Sequence, residues 1–242
     1  KAVKWYRKSA EQGMPEAQNN LAAMYFYGQG VAEDYQEAAQ WYRKSADQGN
    51  AEGEAGLGWL YFCGLGVDED WDEAGRLCRD AAGKGSEAAC NGLGRICLSE
   101  GGEENYREAM KWLRQAADRG NAEAELLLGD VYLHGLGVAE DPSEAAEWYR
   151  KSADQGNPEA EDTLGCMYMS GSGVERDYEK AFALFRAATE QGESGALFHL
   201  GRLSYEIAQG DDDLREAAEW FRMAAEQGEP EAACDLGIMY LD

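Results

Sequence analysis

Seven glycines, Gly13, Gly49, Gly85, Gly120, Gly156, Gly192 and Gly228, divide the chain at steps of 36, 36, 35, 36, 36 and 36 residues. A fixed period of this length marks an array in which one supersecondary unit recurs. Each unit holds two helical patterns. In helix B, Tyr35, Ala38, Ala39, Tyr42 and Ala46 fall at i, i+3, i+4, i+7 and i+11, the spacing of one helix face. In helix A the recurring apolar positions are Ala17, Leu21, Met24 and Tyr25. Helix B carries a capping-box pattern at Asp34/Glu37, Asp70/Glu73, Asn105/Glu108, Asp141/Glu144 and Asp213/Glu216, which Asp177 lacks because Lys180 stands third after it. Pro15, Pro158 and Pro230 in helix A and Pro142 in helix B fall where the first helical residue belongs. The periodic glycines stand where a left-handed C-terminal cap is wanted.

Glycine also recurs inside helix A, at Gly58, Gly94, Gly129, Gly165, Gly201 and Gly237, with Ala22 in the first copy. An interior glycine costs about 1 kcal/mol against alanine, so its return predicts a close helix–helix approach that a side chain would block. One A–B pair cannot bury its apolar face alone, and stacking of neighbours into an all-α solenoid follows. Residues 1–242 are expected to form a single solenoid domain: one helix B, six A–B repeats and a final helix A. Neither end reads as a polar capping repeat, so the chain is expected to be part of a longer array with ends open to self-association.

Charge restricts the function classes. With 22 Lys+Arg against 47 Asp+Glu the net charge is −25, the wrong sign for binding nucleic-acid phosphates or an anionic membrane surface. No apolar run approaches the roughly 18–20 residues of a membrane span. Seven Trp and 13 Tyr supply more apolar surface than a disordered acidic chain carries.

The pattern Ala-x-x-x-Leu-Gly-x-Met-Tyr-x-x-Gly-x-Gly-Val, followed by Asp-Tyr-x-Glu-Ala-Ala-x-Trp-Tyr-Arg-Lys-Ser-Ala, resembles the Sel1-like repeat family across the whole chain. The loop Gly-x-Gly-Val appears at Gly28–Val31, Gly64–Val67, Gly135–Val138 and Gly171–Val174. The resemblance implies a right-handed, tetratricopeptide-like α-solenoid of 36-residue helix-turn-helix repeats, helix A lining the concave face. It implies an adaptor or scaffold, in many cases bacterial, that binds a protein or peptide. The third copy, with Glu100-Gly101-Gly102, and the sixth, with Ile207-Ala208-Gln209-Gly210 before Asp211–Asp213, depart from the pattern, and their loops are expected to differ in shape.

Helix A positions equivalent to 17, 21, 24 and 25 form the buried arc, leaving 16, 20, 23 and 27 as a stripe on the opposite side. Trp59 is the one tryptophan on that stripe. Trp5, Trp41, Trp112, Trp148 and Trp220 share a helix B position and Trp71 replaces a recurring tyrosine, which reads as packing. Tyr, Trp and Arg dominate interface energetics, so Tyr27, Trp59, Arg95 and Arg202 are the expected partner-binding anchors, with Asp130, His134 and His199 beside them on the stripe. The acidic surface favours a basic partner. A small molecule or glycan such as a cell-wall fragment, stacked on Trp59 and Tyr27, is the alternative. The helix B arginines Arg7, Arg43, Arg79, Arg114, Arg150, Arg186 and Arg222 recur in every copy and are expected to be architectural, pairing with acids of neighbouring helices.

No catalysis is expected, and neither a cofactor nor a metal. The Gly-x-Gly turns lack the preceding strand of a phosphate cradle. His134 and His199 lie two repeats apart, while packed helices sit about 8–10 Å apart, so a His134–Cys166–His199 zinc centre with bonds near 2.0–2.3 Å is not expected. Asp211–Asp213 lacks calcium-loop spacing and reads as a solvated acidic loop. The family's secreted cysteine-rich branch, by the resemblance, pairs cysteines at positions equivalent to Ala46 and Glu54; here only Cys90 matches, with Ala82 at its partner position. Free thiols in a reducing, cytoplasmic setting are therefore expected.

Overall fold

In a computed structural model, which describes residues 1–193 and 195–240, all regular structure among the described residues is helical. The B-type helices are α1 (Ala2–Ala10), α3 (Tyr35–Ala46), α5 (Trp71–Gly83), α7 (Glu103–Ala117), α9 (Pro142–Asp154), α11 (Tyr178–Glu190) and α13 (Asp211–Glu226). The A-type helices are α2 (Pro15–Phe26), α4 (Ala51–Cys63), α6 (Glu87–Glu100), α8 (Ala122–Leu133), α10 (Pro158–Ser170), α12 (Ala196–Ile207) and α14 (Pro230–Met239). Contacts cluster into two compact units, Lys1–Ala124 and Glu125–Asp242. In the first, α2 packs on α4 and α4 on α6; in the second, α10 packs on α12 and α12 on α14, forming layers of A helices.

The helix boundaries follow the punctuation in the sequence. All four prolines open a helix, and the periodic glycines take positive φ, for example 78° at Gly49 and 93° at Gly85. The Asp34, Asp70 and Asp141 carboxylates accept the backbone N–H three residues on, at 3.0, 2.9 and 3.1 Å. Asp177 makes the same bond to Lys180, at 3.0 Å, although its box residue is missing.

The capping boxes at Asn105 and Asp213 do not form. Without Gly-x-Gly-Val the chain re-enters the helix sooner, so α7 is capped at Gly102 and α13 at Gly210. Asn105 then sits in the first turn and donates back to the Gly101 carbonyl at 3.0 Å, while Asp213 accepts from the Gln209 N–H at 2.8 Å. Asp211–Asp213 is accordingly the first turn of a helix rather than a loop, where carboxylates complement the positive end of the dipole. An N-cap substitution costs about 1 kcal/mol; Asp141→Ala is therefore expected to lose about that much stability in urea unfolding and Asn105→Ala markedly less.

Five of the six interior glycines make the expected close approach, Gly237 being the exception, and the approaching group is a helix B side chain. A Cβ built at Gly129 would lie 2.5 Å from the Tyr149 ring, at Gly165 2.6 Å from Phe185, at Gly201 2.7 Å from Phe221, and at Gly58 2.7 Å from the Cys78 sulfur. Gly94 faces Leu113 in the same way. Tyr149, Phe185 and Phe221 are among the largest fully buried side chains. They anchor the apolar clusters of the second unit, except Tyr149's hydroxyl, which donates to Asp130 at 2.7 Å.

A second device ties consecutive repeats. The residue at the C-terminal end of a helix B reaches back 30 positions to a buried polar side chain: Gln48 to Gln18 at 2.7 Å, Lys84 to Glu54 at 2.5 Å, Gln155 to Glu125 at 2.6 Å and Gln191 to Glu161 at 2.8 Å. Burial pushes the Glu125 carboxyl above the ordinary carboxylate value, the Gln155 bond and Lys151 only partly opposing it. A folded-state value raised in this way makes the folded protein bind more protons than the unfolded chain, so Glu125 withdraws stability as pH rises from the ordinary carboxylate range through its raised folded value. Glu125→Gln should remove that slope and leave the protein at least as stable at neutral pH; a pH series of thermal melts checks it.

The helix B arginines are architectural, but their recurring partner is a tyrosine hydroxyl of the following helix A. Arg7 binds Tyr25, Arg43 binds Tyr61 at 2.6 Å and Arg150 binds Tyr168 at 3.2 Å. Arg79 reaches an acid on a neighbouring helix, Glu108 at 3.6 Å; Arg150, Arg186 and Arg222 also pair with acids of their own helices. The helix B tryptophans Trp41, Trp112 and Trp148 bond through their indole N–H to the glutamate four residues earlier, at 3.1–3.2 Å, and are half-buried except Trp5, which is 67% exposed.

Candidate functional site

On the A-helix face of the first unit, α2, α4 and α6 enclose a groove of about 400 Å³. The stripe positions Tyr27, Trp59 and Arg95 line it. Tyr27, which ends α2, is 65% exposed with its ring edge-on to Phe26 at 4.8 Å. Trp59 is half-buried, with the Phe62 ring tilted against it at 5.5 Å and the Arg95 guanidinium over its ring at 5.5 Å. Arg95 is held in turn by the Glu123 carboxylate, which fixes the cation over the indole.

The floor comes from a residue the stripe did not include. Tyr42, on α3, reaches the groove because the neighbouring α4 position is Gly56, where a Cβ would lie 2.5 Å from the Tyr42 ring. Its burial pushes the phenol above its ordinary value, so it presents a neutral hydroxyl. Asn91, one turn before Arg95, lines the groove with a buried side-chain oxygen that accepts no hydrogen bond. Such an acceptor costs about 1–3 kcal/mol unless something donates to it. Asn91 was open to discovery from sequence, since it precedes Arg95 by four residues and so shares its helix face; Tyr42 was hidden, because its helix B position reads as core.

In the second unit the remaining stripe residues occupy separate places. Asp130 accepts the Tyr149 hydroxyl and serves the packing of α8 on α9. His134 is exposed at the end of α8. Arg202 lies over the Phe198 ring at 5.8 Å and lines a cavity of about 440 Å³ with Asp235 and Ile238. His199 is half-buried, with Nδ1 2.7 Å from the Asp162 carboxylate and 3.6 Å from the Cys166 sulfur. Burial disfavours its charged form, but the bonds to Asp162 and Cys166 more than offset this and raise the imidazole to about 10. The six cysteines are thiols.

Helix pairs stacked in register, joined by glycine-capped turns and exposing a groove on one helical layer, define an α-solenoid repeat protein. The Sel1 repeat family model matches residues 1–14, 15–50, 51–86, 87–121, 122–157, 158–193 and 194–229. The chain belongs to the Sel1 repeat family. It is similar to c5321, a protective antigen of uropathogenic Escherichia coli strains displaying an SLR fold, at 35% identity and TM-score 0.79 over 98% of this chain and 51% of that one. It is also similar to a Sel1 repeat protein from Oxalobacter formigenes (31% identity, TM-score 0.74, 88% of this chain and 86% of that one). A Sel1 repeat protein from Klebsiella pneumoniae aligns at 26% identity and TM-score 0.60 over 84% of this chain and 99% of its own. The chain thus spans about half the length of c5321. No match is found among curated proteins. Sel1 repeats are in general non-catalytic scaffolds for protein–protein interaction, and no helix among the described residues is long and apolar enough to cross a membrane.

Proposed function

We propose that this chain is a non-catalytic scaffold that holds a peptide segment of a partner protein in the α2–α4–α6 groove. The observation that carries this reading is the convergence in one concavity of two aromatic platforms, Tyr27 and Trp59, a fixed guanidinium, Arg95, and the unpartnered acceptor of Asn91. Aromatic rings supply buried contact area. The Asn91 oxygen matches a peptide N–H, and Arg95 with Glu123 offers a charged pair at the rim. The net charge of −25 favours a segment rich in Lys and Arg and speeds its encounter.

Selection of a random peptide display library on this chain tests the proposal. Enriched sequences should carry basic residues, bind less tightly as salt rises, and lose affinity when Trp59 is replaced. Binders that are insensitive to salt and to Trp59→Ala would place recognition elsewhere. A groove volume of about 400 Å³ also lies in the range of small-ligand sites; a thermal shift with muropeptides but no peptide enrichment would favour the glycan reading.

A further inference from the structure

The geometry points to a transition-metal site in the second unit, with Asp162, Cys166 and His199 as protein ligands to a zinc-class divalent ion. One ligand atom from each of the three lies within 4.8 Å of the others. Asp162 and Cys166 stand four residues apart on α10, so both face the same side of that helix, and His199 meets them from α12 of the next repeat. Carboxylate, thiolate and imidazole are the donor types that zinc takes, at about 2.0–2.3 Å. Tetrahedral bonds of those lengths place nitrogen and sulfur about 3.5 Å apart; the His199 nitrogen and Cys166 sulfur are 3.6 Å apart. The nitrogen–carboxylate distance, 2.7 Å, is that of a hydrogen bond, so an ion entering here displaces both the proton shared by His199 and Asp162 and the Cys166 thiol proton, releases the two to solvent, and opens this edge by about half an ångström.

Two further observations set the cluster apart from ordinary repeat packing. The repeat architecture does not ask for these residues. The equivalent triples at the other junctions are Asn19/Ala23/Gly56, Ala55/Trp59/Gly92, Asn91/Arg95/Leu127, Leu126/Asp130/Thr163 and Phe198/Arg202/Asp235. None of them holds more than one metal-binding side chain. The surroundings also suit an ion with one open position. Phe185 and Phe198 flank the imidazole at 5.3 and 5.7 Å, forming an apolar wall. Gly195 also stands beside the cluster, where an added Cβ would lie 3.6 Å from Asp162 Oδ2 and 3.8 Å from His199 Cε1. Three protein ligands leave a fourth place to water or to an incoming group, the arrangement of open rather than purely structural zinc centres. Asp162 lies off the helix A stripe, so the residue pattern along that stripe offers only Cys166 and His199 of this set, beside a His134 two repeats from His199.

Titrating the metal-free, reduced 242-residue chain with Co²⁺ tests this directly. One equivalent should produce tetrahedral d–d bands together with a thiolate-to-cobalt charge-transfer band, and Zn²⁺ should displace both. Cys166→Ser should abolish the charge-transfer band, and Asp162→Asn should weaken binding at least tenfold; circular dichroism of both metal-free variants verifies that the helices are intact. Absence of a stoichiometric band in the parent chain overturns the proposal. So does a band that persists in Cys166→Ser, which would assign it to one of the other five cysteines, and so does unchanged affinity in Asp162→Asn.

Discussion

Phe185→Ala should destabilise the fold by about 3–5 kcal/mol, the range for removing a fully buried aromatic ring, and the same ring should determine what is tolerated at Gly165. Phe185 is 0% exposed and its ring fills the place where a residue at 165 would put its Cβ, 2.6 Å away. Gly165→Ala alone therefore forces a packed ring to move, an overpacking cost of about 1–3 kcal/mol that exceeds the gain of about 1 kcal/mol from replacing an interior helical glycine. In the Phe185→Ala background the clash is gone and only the helical gain remains, so Gly165→Ala should then stabilise. The interaction energy of this double-mutant cycle should be favourable by at least 1 kcal/mol, measured by urea unfolding. Gly237 provides the control. It holds the same position in α14, yet among the described residues a Cβ there meets nothing within 4 Å, and Gly237→Ala should stabilise by up to about 1 kcal/mol. Equal effects at 165 and 237 would mean that the glycines answer to the helix and not to the facing ring.

Trp59→Ala is expected to weaken peptide binding by about 2 kcal/mol or more, the level of an interface hot spot, which is about 30-fold in Kd. The indole is half-buried between Phe62 and Arg95, so truncation removes both the platform and the support of the guanidinium, which is then left to Glu123 alone. Tyr27→Ala should cost less, since that ring is 65% exposed. Trp5→Ala is the matched control: the same residue type, 67% exposed on α1 and outside the groove, and expected to leave affinity unchanged. Isothermal titration calorimetry with an enriched peptide separates the three. A Trp59→Ala chain that binds as tightly as the parent removes the groove from consideration.

The residue pattern revealed much of this molecule because each repeat states its own boundaries. Proline at N1, aspartate at the N-cap and glycine after the C-terminus are local requirements of the helical backbone, met within a few residues, and for that reason Asp34, Pro142 and Gly49 could be placed from sequence. The same local logic failed at Asn105 and Asp213. There a capping motif was present, but the loop before it was too short to let it act. Tyr27, Trp59 and Arg95 were legible as one side of three consecutive A helices, because a single helical period determines which residues of a helix share a face.

What required the tertiary structure is everything in which two repeats meet. Arg43 and Arg150 reach a tyrosine hydroxyl because the following helix A presents one at the right height, Arg150 while also holding Glu147 of its own helix. Tyr42 enters the groove only because Gly56, in the next repeat, leaves room for it. Asp162, Cys166 and His199 become a cluster only when α10 and α12 are packed side by side. The sequence by itself determined the period, the helix ends and the faces, which depend on interactions spanning about one helical turn. Contacts between residues 14 to 37 positions apart depend on how stacked helices interdigitate, and no periodicity within one helix encodes that.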